Sequence, residues 1–350
     1  MSDFHSRLLR WYDQYRRDMP WRNTSDPFAI WVSEVMLQQT QVDTVIPYYN
    51  RFIASYPTPR ALASAGEDEV LKHWEGLGYY ARARNLLAAA RQVVDVYGGV
   101  VPDTEKDFLA LKGVGPYIAA AVLSIAFGKP MAAVDGNVKR VLARLTRNET
   151  PVNGSTSHLA YQPIANRYLN TSFPGDHNQA MMELGARICL PKMPKCDQCP
   201  VAEQCEAYLT HGVNLYPKVE KRKQVPTRHI AVAVIQKGKK MLICKRRPEG
   251  LLGGLWEFPG GKVEQGETAA AACVRECREE VNLSVEVVKK LTTVRHAYTH
   301  FKIVMDVFIC SSTSGRVRLN GPVAHEWVTI DELSRFAFPK ANLKFIPLLK

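Results

Sequence analysis

Long apolar runs are missing from this chain. The most continuous one, Ala119 to Val134, is broken by Ser124, Gly128, Lys129 and Pro130, which leaves too few consecutive apolar residues for a bilayer-spanning helix. Met1 to Arg17 is charged along its length and has no apolar segment ahead of a small-residue cleavage site. Secretion is therefore not expected, and the chain should be cytoplasmic. Internal repeats and low-complexity tracts are also lacking. With 46% hydrophobic and 23% charged residues, 22 Gly and 21 Pro, the chain is neither collagenous nor disordered. Its 350 residues suit two domains, each able to bury a core.

Acidic residues are scarce in one window. Of the net charge of +12, residues 1–210 carry +1, whereas residues 211–247 hold eleven Lys or Arg against one Glu. These cations are Lys218, Lys221, Arg222, Lys223, Arg228, Lys237, Lys239, Lys240, Lys245, Arg246 and Arg247. Such a run either meets a polyanion or is a solvated basic linker.

Strand signals are few before residue 210, where apolar residues recur at helical spacing, as in Leu8, Leu9, Trp11, Tyr12 and Tyr15. Prolines punctuate the pattern, which predicts a many-helix domain over 1–210. Residues 211–228 read as a basic connector. From 229 to 350 the character changes to α+β, with strands expected at 230–235, 241–244, 283–288 and 301–310 and a helix over 268–281.

Cys189, Cys196, Cys199 and Cys205 form the pattern C-x6-C-x2-C-x5-C, four soft ligands within seventeen residues. Thiolates so crowded can hold a tetrahedral zinc or an iron-sulfur cluster, and spacing alone leaves both open. Lys192 and Lys195 lie inside the loop and could contact phosphate. Cys244, Cys273, Cys277 and Cys310 are scattered, as ordinary buried thiols would be.

Gly113-Val114-Gly115 precedes an Ala-rich helical run. The turn can expose backbone amides to a phosphate at a helix N-terminus, or simply connect two helices. Twenty residues on, Asp135-Gly136-Asn137 opens another helical run, where an Asp serves as N-cap or as a reactive acid.

Together, Leu111-Lys112-Gly113-Val114-Gly115, Val134-Asp135-Gly136-Asn137-Val138-Lys139-Arg140 and the four-cysteine pattern resemble the endonuclease III superfamily of base-excision DNA glycosylases. Within it, Trp31-Val32-Ser33-Glu34-Val35-Met36-Leu37-Gln38-Gln39-Thr40, Gly76-Leu77-Gly78-Tyr79-Tyr80-Ala81-Arg82 and Asn178 to Gly185 resemble the adenine DNA glycosylases, the MutY family. The resemblance implies an all-α helix-hairpin-helix domain with one [4Fe-4S] cluster on Cys189, Cys196, Cys199 and Cys205, with zinc the minor alternative. It also implies a nucleoid-associated, bacterial-type enzyme acting on double-stranded DNA that contains adenine:8-oxoguanine or adenine:guanine mispairs.

Cleaving a purine N-glycosidic bond needs a proton for the departing base and negative charge beside the cation-like sugar, so two carboxylates suffice. The resemblance makes Glu34 the general acid at adenine N7 and Asp135 the group that stabilises or traps the sugar cation, with Tyr117 and Asn137 positioning Asp135 and the sugar. The apolar neighbours of Glu34 should raise its pKa. Lyase relatives carry a lysine where Tyr117 stands, so a monofunctional glycosylase is expected. The target must leave the duplex stack. Gln39 and Tyr79 match the family's wedge residues and Leu37 lies close by, while Trp21, Arg22 and Glu183 are candidates for the adenine pocket. Met181 and Met182 read as core filler, and His177 as polar surface.

Gly261 to Leu283 follows the Nudix box G-x5-E-x7-R-E-U-x-E-E-x-G-U except that Asn282 replaces the last glycine. Glu276, Glu279 and Glu280 fall on one helical face and could hold magnesium against a diphosphate. Adenine glycosylases usually carry a degraded box in a domain that recognises 8-oxoguanine, so this chain departs from the pattern. Tyr298, Thr299 and His300 resemble the Phe-Ser-His lesion-sensing hairpin of that family, while Arg247 and Asn342 match guanine-holding positions of MutT-type hydrolases. Lesion recognition in duplex DNA is favoured over 8-oxo-dGTP hydrolysis, and magnesium is expected only if the box is active.

Overall fold

The computed structural model describes residues 2–221 and 225–349, so Arg222 and Lys223 of the basic window lie outside the described residues. The chain forms two compact units, Met1–Ser64 with Ala88–Arg222 and Ala65–Leu87 with Lys223–Lys350. Helices α1 (Ser2–Tyr15), α2 (Pro27–Leu37), α3 (Val42–Ser55) and α4 (Pro59–Ala63) open the first unit. α5 (Glu67–His73) belongs to the second, and α6 (Ala81–Tyr97) crosses the division. The first unit continues with α7 (Glu105–Leu109), α8 (Pro116–Phe127), α9 (Gly136–Leu145), α10 (Ser157–Tyr168), α11 (Pro174–Arg187) and α12 (Glu206–Leu209).

α2 forms where Asp26 accepts the Phe28 and Ala29 amides and Pro27 presets the first turn. Every residue from Phe28 to Met36 is buried, as expected of a helix apolar on all sides. The Ser33 hydroxyl in this stretch is satisfied by the Ile30 carbonyl at 2.7 Å. α8 is similarly buried from Ile118 to Ser124 and stops at Gly128, whose φ of 66° suits a residue without a Cβ. Trp31 of α2 meets Phe108 of α7 edge-on at 5.3 Å. A further core joins Phe4, Leu8 and Tyr12 of α1 to Val138 and Leu142 of α9 and Leu184 of α11. Each such side chain contributes about 1.5–3 kcal/mol by leaving water. The His177 ring is buried in the same region, 5.5 Å from the His5 ring, and burial lowers its pKa to about 3. It is a neutral interior side chain rather than the surface residue expected, because α11 turns it inward against Phe4.

Residues 211–221, expected as a connector, pack along the helical unit: buried Tyr216 donates to Glu149, and the Lys218 carbonyl accepts the Val152 amide at 3.0 Å.

The second unit holds β1 (Thr227–Lys237), β2 (Lys240–Lys245), β3 (Trp256–Glu257), β4 (Gly260–Lys262), α13 (Ala269–Val281), β5 (Ser284–Ala297), β6 (Lys302–Ser314), β7 (Ala324–Val328) and α14 (Lys340–Leu343). Its sheet runs β3-β2-β1-β6-β5, with β4 paired to β1 and β7 to β2. β1 and β6 are parallel from Thr227↔Lys302 to Gln236↔Ser311, and the other pairs are antiparallel. Alternation along β1 sends Ala231, Ala233 and Ile235 towards Cys273, Cys277 and Val281 of α13, and Val232 and Val234 into the opposite core. Burial of both faces explains why this strand reads as one continuous apolar run. β5 extends past its expected end at 288 to Ala297, through register shifts around Val287/Lys289 and Lys290/Thr292 that break the alternation.

Ala65–Leu87, expected within the helical domain, packs with the C-terminal residues through polar ties. Glu75 accepts the Phe338 amide at 2.7 Å, and Lys72 donates to the Phe336 carbonyl at 2.9 Å.

Candidate active site

Ile30, Ser33, Glu34 and Leu37, one face of α2 at i, i+3, i+4 and i+7, line a cavity of the helical unit. Gln179, Met182, Glu183 and Ala186 of α11 line it at the same spacing. Trp21, Arg22, Tyr117, Asp135 and Asn137 complete the set of expected residues that meet there. Glu34 is 4% exposed. Burial is the main cause that lifts its pKa to about 7, with Asp135 adding to the rise, while a hydrogen bond from Tyr117 and the charge of Arg22 oppose it. The Tyr117 hydroxyl donates to Glu34 Oε2 at 2.7 Å and lies 3.4 Å from Met182 Sδ, so Met182 is part of the cavity wall rather than core filler. Burial beside Glu34 and Asp135 holds the Tyr117 phenol well above its ordinary pKa.

Asp135 is the N-cap of α9: Oδ1 accepts the Val138 amide at 2.7 Å and Oδ2 accepts Asn137 Nδ2 at 2.9 Å. Burial raises its pKa above the ordinary value, and these two bonds hold the rise in check. The N-cap reading holds, and capping leaves the carboxylate on the lining of the cavity. Asn137 is fixed in turn by Arg140, whose Nη2 reaches Asn137 Oδ1 at 2.9 Å and the Gly185 carbonyl at 2.7 Å, while Nε reaches the Cys189 carbonyl at 2.8 Å. A continuous hydrogen-bonded chain thus runs from the first cysteine of the pattern to Asp135.

The Glu183 carboxylate is 1% exposed and holds the guanidinium groups of Arg17 at 2.8 Å and Arg22 at 2.9 Å, with Arg187 farther off at 3.9 Å. Burial alone would raise its pKa, but Arg17 and Arg22 bring it below the ordinary value. Arg17, Gln179 and Met182 were missed as site residues. The repeat of α11 through Glu183 could have found the last two, whereas Arg17 precedes any motif.

Gln39 stands outside the cavity, exposed in the turn after α2 with φ 56°, and Tyr79, in the second unit, has φ 49°. Non-glycine residues in this region are strained, by about 1–3 kcal/mol each. The Tyr79 hydroxyl contacts the Thr299 hydroxyl at the tip of the β5–β6 hairpin. Thr299 and His300 are exposed there, and Tyr298 packs between His296 and Phe301. The hairpin Gly113-Val114-Gly115 joins α7 to α8 with Gly113 at φ 77° and Gly115 as the N-cap of α8, leaving the first amides of α8 without a side-chain cap.

Cys189, Cys196, Cys199 and Cys205 line one cavity with the apolar Ile188, Pro194, Ala202 and Val213. Among the described residues no three His, Cys, Asp or Glu close on a single-ion site. Four soft donors around an apolar hollow suit a thiolate-held cluster. The Lys192 and Lys195 side chains are exposed on this loop.

In the second unit, Glu276, Glu279 and Glu280 share α13, but Arg275 engages the carboxylates of Glu267, Glu276 and Glu279 at 2.9–3.1 Å. Glu280 accepts the Gly260 amide at 3.1 Å, and burial lifts its pKa to about 7. With Arg246, Arg247 and Glu257 it lines a polar cavity, and Asn342 is not part of that lining. Asn342 Oδ1 is buried and has no hydrogen-bond partner among the described residues. Asn282, the departure from the box, caps α13 at φ 57°, a conformation that Asn tolerates almost as glycine does.

Residues 32–162 match the model of the HhH-GPD superfamily base excision DNA repair protein, and residues 231–348 that of the NUDIX domain. Adenine DNA glycosylase of Mus musculus is 36% identical over 98% of this chain and 77% of its own length. That of Homo sapiens is 34% identical over 98% and 73%. A solved thermostable thymine-DNA glycosylase is 34% identical and superimposes with a TM-score of 0.53, covering 59% of this chain and 95% of its own. An endonuclease III in complex with DNA, at 24% identity and a TM-score of 0.50, shares the helical fold. Likeness of this extent through both units makes the chain a member of the adenine DNA glycosylase family.

Proposed function

We propose that this DNA glycosylase of base excision repair releases adenine mispaired with 8-oxoguanine or guanine by hydrolysis, without cutting the strand. The observation that carries the reading is a carboxyl group with a pKa near 7, Glu34, in one cavity with the capped carboxylate Asp135. Tyr117 takes Glu34 Oε2, so Oε1 carries the proton delivered to the base. Asp135, held by the Val138 amide and Asn137, faces the positive charge that develops on the sugar. Tyr117 offers no amine to attack the sugar carbon, which supports hydrolysis over lyase chemistry. In the first unit Gln39 and Leu37 would fill the gap left by the extruded nucleotide; in the second, Tyr79 and Thr299 are candidates for contacts to DNA bases. The amides of Gly113 to Gly115 and the exposed Lys192 and Lys195 suit phosphate contacts.

The test incubates the purified protein with duplexes that hold adenine opposite 8-oxoguanine, guanine or thymine. Adenine should be lost from the first two, with strand breaks only after alkali. Breaks before alkali, or a borohydride-trapped covalent adduct, would overturn the monofunctional reading.

Cys189, Cys196, Cys199 and Cys205 are proposed to hold one [4Fe-4S] cluster, which when bound supplies redox-active iron and rigidifies the loop. Iron and sulfide assays distinguish this cluster from zinc: zinc without sulfide would overturn it. A second reading concerns the C-terminal unit. The nearly complete box, whose Glu280 lines one polar cavity with Arg246, Arg247 and Glu257, favours magnesium-dependent hydrolysis of 8-oxo-dGTP. Incubation with that nucleotide and magnesium, monitored for pyrophosphate, checks it, and a null result in a folded protein leaves the unit as a lesion reader.

A further inference from the structure

Arg144 lies in the last turn of α9, the helix that Asp135 opens, and is 3% exposed. Among the described residues no carboxylate pairs with it, unlike Arg22, which meets Glu183, and Arg246, which meets Glu257. Its donors go to neutral acceptors and one sulfur. Nε reaches the Tyr216 carbonyl at 3.0 Å, Nη1 the Leu190 carbonyl at 2.7 Å and Cys189 Sγ at 3.2 Å, and Nη2 the Pro191 carbonyl at 3.4 Å. Carbonyls satisfy the hydrogen bonds but not the charge, and the negative end of α9 offsets only part of it. The same guanidinium lines the hollow formed by the four cysteines, whose other walls are mostly apolar.

We propose that Arg144 is the counter-ion of the cysteine-held group and sets how readily that group takes up an electron; the inference rests on the cluster reading above. Four thiolates bring negative charge into this hollow, and the guanidinium that touches Cys189 Sγ is the fixed cation facing it. An electron supplied by a reductant such as dithionite makes the thiolate-bound unit one charge more negative. A cation in a low-dielectric site therefore stabilises the reduced form more than the oxidised one. The N–H···S contact acts in the same sense by drawing electron density from the Cys189 sulfur. Arg144 thereby raises the reduction potential. A purely structural clamp on Leu190, Pro191 and Tyr216 would not predict such an effect.

The experiment compares the full-length protein with its Arg144→Gln and Arg144→Lys variants, each assayed for iron, sulfide and visible absorption before a mediated dithionite titration followed by electron paramagnetic resonance. With equal cluster content, Arg144→Gln should lower the one-electron reduction constant at least tenfold, about 59 mV, and Arg144→Lys should recover most of that loss. Equal content with an unmoved potential overturns the inference. Should the Gln variant fail to retain its cluster, 15N-arginine labelling of the wild type and of its Arg140→Lys variant decides: hyperfine coupling to the reduced cluster that survives loss of Arg140 supports the Arg144 contact, and its absence refutes it. Zinc without sulfide in the wild type would defeat the cluster reading itself, a different result from either.

Discussion

Gly185 leaves room for Asn137. A Cβ at position 185 would lie 2.6 Å from the Asn137 Cβ, closer than these atoms can approach, and a tight 3.1 Å from its Cα and carbonyl oxygen. α11 therefore runs against the first turn of α9 only because this residue has no side chain. Gly185→Ala should displace Asn137, loosen its bond to Asp135 and cost about 1–3 kcal/mol as an overpacked contact. Single-turnover adenine release should fall at least tenfold. A rate equal to wild type would show that Asn137 does not position Asp135.

Tyr117→Phe removes a hydrogen bond that restrains the Glu34 pKa. A general acid is active while protonated, so base release should decline as pH rises through about 7 in the wild type. In the variant the Glu34 pKa rises further, and this alkaline limb should move to higher pH. Single-turnover rates measured across pH 5–9 test it, and an unmoved limb contradicts the assignment of Glu34.

Glu34 should also weaken the fold. Its carboxyl group titrates near 4.5 when unfolded and near 7 when folded, so the unfolded chain releases the proton first as pH rises. Stability falls between those values and stays lower above them, by about 3 kcal/mol at 1.36 kcal/mol per pKa unit. Glu34→Gln should therefore be inactive yet more stable at pH 8, with the gain vanishing below about pH 4.5. Denaturant melts at both pH values measure the difference.

Asp135 has two separable duties. Asn is as good an N-cap as Asp, so Asp135→Asn should abolish base release with little change in melting temperature and intact duplex binding. Asp135→Ala should be equally inactive and lose about 1 kcal/mol more as its cap disappears. Normal turnover by the Asn variant would remove Asp135 from the chemistry.

The box glycine Gly261 lies under a carboxylate: a Cβ there would fall 2.2 Å from Glu276 Cδ and Oε1. Gly261→Ala should force Glu276 aside, abolish any magnesium-dependent nucleotide hydrolysis and leave adenine release on guanine mispairs unchanged. Magnesium titration followed by tryptophan fluorescence and a glycosylase assay on one preparation separates the two effects.

Much of this chain was legible as text. The switch from helical spacing to short β-branched and apolar runs marks the change of fold class, because a strand buried on both faces is apolar throughout. The cysteine spacing, the glycine turn and the box are local, and local chemistry survives in one dimension: Asn282 stands where the box has glycine, and Asn adopts the left-handed conformation more readily than most side chains do. Even the elevated Glu34 pKa followed from its apolar neighbours.

Other features existed only after folding. Arg17 pairs with Glu183 across 166 positions, and Arg140 joins Asn137 to the Cys189 carbonyl across 49. No spacing rule predicts such partners, since they depend on where helices cross. Ala65–Leu87 packs with the C-terminal residues because Glu75 and Lys72 capture backbone groups at 336–338, beyond the reach of any local pattern. The types of residue needed for the reaction are thus written along the chain, while the meeting of Glu34 and Asp135 in one cavity is a product of packing, which alone sets distance, burial and hence the charge each acid carries.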